Sequence, residues 1–171
     1  MRLLCIFFLT LFFVLAGAAQ DACRAEVKDA PALFGLKLGM SPAQAQNVFG
    51  RDLKIKNKRN GEYTFFQNFI EKPAPNSLNG IRALYLRFFD GSLYQIEIFY
   101  EDSNPASPLE NFINAQSAKL NLPVEAWKIK YGIAEISCGA FSLAADKFLN
   151  PRLQLTDETT LAKVEAKRKK D

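Results

Sequence analysis

Apolar and polar positions alternate most regularly between residues 81 and 100, where Asp90-Gly91 separates two runs, 81–89 and 93–100. The pattern predicts a β-hairpin closed by a turn that tolerates positive φ. With a two-residue turn, Ile81, Ala83, Tyr85, Arg87 and Phe89 share a face with Tyr94, Ile96, Ile98 and Tyr100, and this is the expected core face. Arg82, Gln95 and Glu97 then point the other way, together with Leu84, Leu86, Phe88, Leu93 and Phe99. So many apolar groups do not stay solvated, and the second face is expected to be covered by the rest of the chain or by a partner. Phe88, Leu93 and Phe99 are the candidate contacts.

Upstream, residues 53–56 and 63–69 read as strands joined by the turn Asn60-Gly61, with a surface loop over 73–79. Downstream, Trp127, Ile129 and Tyr131 alternate with Lys128 and Lys130, and residues 134–145 and 152–155 supply two further candidate strands, Cys138 lying in the first. Two segments carry helix-start chemistry. In Ser41-Pro42-Ala43-Gln44 the serine hydroxyl can cap, the proline suits the first helical position and Gln44 can close a capping box. Ala45, Val48 and Phe49 then fall on one face before Gly50 stops the helix. Ser107-Pro108-Leu109-Glu110 repeats the arrangement, followed by a stripe of Leu109, Phe112, Ile113 and Leu120 and a stop at residues 121–123.

The expectation is one α+β domain: an antiparallel sheet with two capped helices on one face. The two helix starts stand 66 residues apart, each ahead of strand-like sequence, which raises a duplicated helix-plus-sheet unit as a further expectation. Residues 34–50, Phe34-Gly35-Leu36-Lys37-Leu38-Gly39-Met40-Ser41-Pro42-Ala43-Gln44-Ala45-Gln46-Asn47-Val48-Phe49-Gly50, resemble a recurring opening of small exported proteins. In these a Gly-Met-Ser/Thr step caps a short helix that ends in glycine and leads into antiparallel strands. The pattern is similar to the small lipoproteins of the outer-membrane assembly machinery and to the β-lactamase-inhibitor-like module. The resemblance implies a repeated helix-plus-sheet unit and carries no functional residue to this chain.

The N-terminus changes the picture of where such a domain works. Arg2 precedes an apolar run of 14 residues, 3–16, and the small residues Gly17, Ala18 and Ala19 follow. The run falls short of the roughly 20 residues a membrane-crossing helix needs and matches a signal peptide, with cleavage expected after Ala19. Cleavage removes Cys5 and one charge, Arg2, so the chain's net charge of +4 becomes +3 in the mature form. Cys23 and Cys138 remain, and an even pair in an oxidising compartment is expected to form a disulfide. Gln20, Asp21 and Ala22 separate Cys23 from the apolar run, which argues against lipid attachment there. The absence of any Asn-x-Ser/Thr signal leans towards a bacterial envelope, so the expected location is periplasmic or secreted. The expected layout is a signal peptide at 1–19, a domain at 20–158 and a basic tail at 159–171, for which helix, strand extension and disorder all stay open.

Composition narrows the chemistry. The 171 residues include no histidine, which removes Ser-His and Cys-His nucleophilic catalysis, and no Ser-x-x-Lys or Gly-x-Ser-x-Gly motif appears. Two distant cysteines do not make a zinc site, and no phosphate loop or Cys-x-x-Cys is present, so no cofactor, metal or catalytic residue is expected. Glu97, Glu101 and Asp102 are the carboxylates a glycan-acting enzyme would need, with Arg82 placed to hold one ionised. Charge is uneven: Arg51, Lys54, Lys56, Lys58 and Arg59 form one basic cluster (51–59), and Lys163, Lys167, Arg168, Lys169 and Lys170 another (163–170). These suit an anionic envelope polymer or lipid surface, with Lys54, Lys56, Lys58 and Arg59 as candidate contacts. The leading expectation is a non-enzymatic module that binds another envelope protein. Polyanion or membrane-surface binding is the first alternative, a carboxylate-dependent enzyme the second, and export makes nucleic acid an unexpected partner.

Overall fold

Eight strands hydrogen-bond into one antiparallel sheet in the order β1-β2-β3-β4-β8-β7-β6-β5. In this computed structural model the described residues are 26–49, 55–59, 61–70, 78–102 and 104–170. The strands are β1 (Ile55–Arg59), β2 (Glu62–Asn68), β3 (Ile81–Phe89), β4 (Ser92–Tyr100), β5 (Lys128–Lys130), β6 (Ile133–Ser137), β7 (Phe141–Asp146) and β8 (Arg152–Asp157). The helices are α1 (Pro42–Phe49) ahead of β1, α2 (Leu109–Leu120) between β4 and β5, and α3 (Glu158–Arg168) directly after β8. The architecture is α+β, with two antiparallel meanders joined along β4 and β8. The expected single strand over 134–145 is two, because the chain reverses at Cys138-Gly139-Ala140, where Gly139 takes φ +71° and the Cys138 amide donates to the Phe141 carbonyl at 2.8 Å.

The β3–β4 hairpin departs from strict alternation. Phe89 pairs with Ser92 and Phe88 with Leu93, but Arg87 pairs with Gln95, so Tyr94 is an extra residue in β4. A second irregularity makes Arg82 the extra residue in β3, between Ile81 and Ala83. The Tyr94 bulge shifts every side chain beyond it to the opposite face. Leu84, Leu86 and Phe88 therefore align with Ile98, Ile96 and Leu93, and the apolar rows continue through Leu153 and Leu155 on β8 to Leu143 and Ala145 on β7. This corrects the expected faces. The apolar surplus gathers on one side as core, and Phe88 and Leu93 have no exposed surface to offer a partner. Each such fully buried side chain contributes about 1.5–3 kcal/mol.

Leu33, Leu36, Leu38, Ala45 of α1, Ile113 of α2 and Trp127 join the same core cluster. At α1 the Ser41 amide donates to Gln44 Oε1 at 2.8 Å and the Gln44 amide to Ser41 Oγ at 3.2 Å. The segment before it is tied to β4: the Gly39 amide donates to the Leu93 carbonyl and the Leu93 amide to the Met40 carbonyl, each at 2.8 Å. The start of α2 differs from expectation, because Pro108 is its N-cap and no side chain caps it. The Ser107 hydroxyl instead accepts from the Asn111 side-chain amide at 3.2 Å. α2 ends as expected, at Asn121 with φ 53°.

The basic C-terminal segment is a docked helix. Asp157 caps it, Oδ1 accepting from the Thr160 amide at 2.9 Å and Oδ2 from the Thr160 hydroxyl at 2.7 Å. Val164 and Leu161 pack on Phe89 and Tyr94, and Arg168 reaches Glu62 of β2 at 2.6 Å. An 11-residue helix spans about 16 Å, close to the three inter-strand steps of about 4.8 Å from β8 to β2. Among the described residues no helix is long and apolar enough to cross a membrane.

Candidate functional site

The side of the sheet opposite the core is polar, with one aromatic strip. Three cross-strand rows build it: Thr64, Arg87, Gln95, Thr156 and Ser142; then Phe66, Tyr85, Glu97, Gln154 and Ala144; then Asn68, Ala83, Phe99, Arg152 and Asp146. α3 covers only the end of this face that carries Glu62, Phe89 and Tyr94. Beyond it, Phe66, Tyr85 and Phe99 are half-buried and belong to neither core cluster. Their rings form a continuous strip, Phe66 to Tyr85 at 4.3 Å between centroids and Tyr85 to Phe99 edge-on at 6.3 Å.

Beside the strip lies an ion network. Arg152 Nη1 donates to Glu97 Oε1 at 2.7 Å, and its Nε and Nη2 hold Asp146 Oδ2 at 2.7 and 2.5 Å. Burial works to lower the Arg152 pKa, but hydrogen bonds to Glu97 and Asp146 outweigh it and hold the guanidinium above its ordinary value. Gln95 and Gln154 both donate to Thr156 Oγ1, each at 3.1 Å. Every buried side-chain nitrogen and oxygen among the described residues has a partner. The polar groups around the rings are thus satisfied within the chain.

At the covered end, Glu62 accepts from the Tyr94 hydroxyl at 2.6 Å and from Arg168. Burial works to raise the Glu62 pKa, yet hydrogen bonds from Arg168 and Tyr94, with the charges of Arg168 and Arg87, bring the net value below the ordinary one. Tyr94 is pushed up, by burial first and then by Glu62, so it stays a donor at physiological pH. Ser142 donates to Glu158 at the other end of α3.

Of the apolar sequence-derived contacts Phe88, Leu93 and Phe99, only Phe99 stands on the open face. Tyr85 and Phe66 were missed as site residues, because strict alternation placed Tyr85 in the core. Lys54 and Cys23 lie outside the described residues; Lys56, Lys58 and Arg59 occupy β1 at the sheet edge. Cys138 is wholly buried where β6 ends. In the second basic cluster Arg168 is bound to Glu62 and Lys167 lies 5.3 Å from the Phe89 ring centroid, and these two are exposed together with Lys163, Lys169 and Lys170.

The candidate carboxylates do not converge. Glu97 belongs to the Arg152 network, not to Arg82, whose Nη1 donates to Asn150 Oδ1 at 3.1 Å. Glu101 lines a shallow cleft under α2 with Tyr100, Asn111, Gln116 and Lys119, and Asp102 there faces Lys147 at 3.4 Å. The Lys147 ammonium is itself committed to the Asn104 and Ser107 carbonyls at 2.6 and 2.8 Å. No group of three His, Cys, Asp or Glu among the described residues could hold a metal. Comparison with protein-family models, with curated proteins and with solved structures finds no match to this chain.

Proposed function

We propose that the chain is an exported, non-enzymatic binding module of the bacterial periplasm that takes another envelope protein on the open face of its sheet. One observation carries the reading: Phe66, Tyr85 and Phe99 are left half-exposed outside both core clusters, on a polar bed whose buried groups are already satisfied. Aromatic rings with few rotatable bonds dominate protein interfaces, and the surrounding partly exposed Arg87, Arg152 and Gln154 supply the polar rim such a patch needs. Preorganisation lowers the entropic penalty of association. Export rests on the apolar N-terminal run, and the buried Cys138 suits a disulfide to Cys23.

The fold supports a finer reading. The strand order mirrors itself about the β4–β8 seam, and one helix precedes each four-stranded meander. This is the order that a duplicated helix-plus-sheet unit would leave, with α1 and α2 as equivalent helices on the core side. Affinity capture from an envelope extract of the native host tests the function, with oxidised mature protein as bait. A protein retained through high salt by the wild type and lost with Tyr85→Ala/Phe99→Ala supports it. Equal retention by the variant, or elution of everything by salt, refutes it.

A further inference from the structure

The most exposed large apolar side chains of the described residues stand at one end of the sheet. Tyr131 is 86% exposed, Phe148 65% and Leu149 91%. Tyr131 lies in the turn between β5 and β6, and Phe148 and Leu149 in the connection between β7 and β8. These turns are neighbours, since Ile133 pairs with Asp146, and they touch: a Cβ on Gly132 would meet the Phe148 ring at 3.1 Å. α3 and the C-terminal basic cluster follow β8 at the opposite end.

The exposure is held in place. Lys147 Nζ is bound to two carbonyls of the loop before α2, the Asn150 side chain accepts from Arg82, and the Pro151 carbonyl accepts from the Tyr100 amide at 2.8 Å. Between those anchor points the chain presents Phe148 and Leu149 to water. A convex, pinned apolar tip suits a surface that yields around it. Its charge has a sign as well: Lys128 and Lys130 are exposed beside it, with Lys130 Nζ 5.1 Å from the Tyr131 ring centroid. The nearby acids Asp146 and Asp102 are taken up by Arg152 and Lys147, and two more stand further from the apolar side chains: Glu135, the register partner of Lys128, and Glu101, in the cleft behind Lys147.

We propose that this tip docks the protein on an anionic lipid bilayer, with Phe148 and Leu149 entering the interface, Tyr131 at headgroup level and Lys128 and Lys130 against lipid phosphates. Amphipathic tyrosine belongs at that depth, and one or two apolar anchors with a basic flank give reversible attachment. The tip shares no residue with the aromatic strip.

Cosedimentation of the oxidised mature protein with mixed phosphatidylglycerol–phosphatidylethanolamine vesicles, and with pure phosphatidylcholine vesicles, tests the proposal. The wild type is expected to pellet with the anionic vesicles. Phe148→Ser/Leu149→Ser is expected to lower the partition coefficient by roughly a hundredfold, about tenfold for each side chain. Lys130→Glu is expected to weaken binding to anionic vesicles alone, and the emission of a Phe148→Trp variant to shift to the blue when they are added. A wild type that stays in the supernatant overturns the proposal. So does a double variant that pellets like the wild type, the outcome if the basic clusters alone held lipid, or a Phe148→Trp emission that vesicles leave unchanged.

Discussion

Arg152 donates to Glu97 at 2.7 Å across the seam where β4 meets β8, reaching past Gln154, the register partner of Glu97. Because the same guanidinium holds Asp146 of β7, one side chain bridges three strands and ties the two meanders under the aromatic strip. Arg152→Met leaves two largely buried carboxylates without their counter-charge. The expected loss is about 2–4 kcal/mol, below the fully buried limit because Arg152 keeps some solvent. Urea unfolding at neutral pH measures it. Arg152→Lys is expected to recover only part of the loss, since an ammonium lacks the planar fork.

Tyr94 decides which residues line the open face. Deleting it restores strict alternation beyond Leu93, turning Gln95, Glu97 and Phe99 towards the core and Ile96 and Ile98 towards water. The deletion is expected to abolish the cooperative thermal transition followed by circular dichroism. Tyr94→Phe keeps the bulge and loses only the bond to Glu62, and is expected to melt cooperatively with a loss of about 1 kcal/mol.

How much of this could be read in advance follows the same residue. The hairpin's ends, the Ser41–Gln44 box and the Asn121 stop depend on neighbours within a few positions, and local chemistry shows them. The bulge left a trace, because under a two-residue turn Leu84, Leu86 and Phe88 fall out of phase with Ile96 and Ile98. That mismatch, which suggests a second face covered by the rest of the chain or by a partner, is cured by one extra residue. Glu97 and Arg152 lie 55 positions apart, and Glu62 and Arg168 lie 106 apart, so their pairing exists only once the strand order is known. The apolar moment of the tail is weak because α3 buries only Val164 fully, and its anchors are charges.

The lowered Glu62 pKa makes α3 docking sensitive to acid. A carboxylate with a depressed folded-state pKa contributes stability above its unfolded value of about 4.3, and loses it as pH falls through the folded value. Glu62→Gln is therefore expected to be less stable than the wild type at pH 7 by on the order of 1 kcal/mol, a modest figure because Arg168 is half exposed. The two denaturation curves should converge once pH has fallen through the lowered folded-state value. A difference that stays constant from neutral to acid pH would show that Glu62 acts through packing alone.

Peptide mapping of the mature protein without reductant is expected to recover a Cys23–Cys138 linked pair and an N-terminus at Gln20. Such a bond would close a 115-residue ring. Reducing it is expected to remove about 4–5 kcal/mol in the chain-entropy model, visible as a lower urea midpoint. Two free thiols in the exported protein would contradict the pairing.

Site-specific photo-crosslinking in the native host shows whether a partner sits on the open face. A benzophenone amino acid in place of Tyr85 or Phe99, and of Asn114 on the exposed side of α2 as a control, reports what each position touches. One protein adduct is expected from positions 85 and 99, abolished by Phe66→Ala, and none from 114. Adducts from 114 with none from the sheet face would contradict that placement.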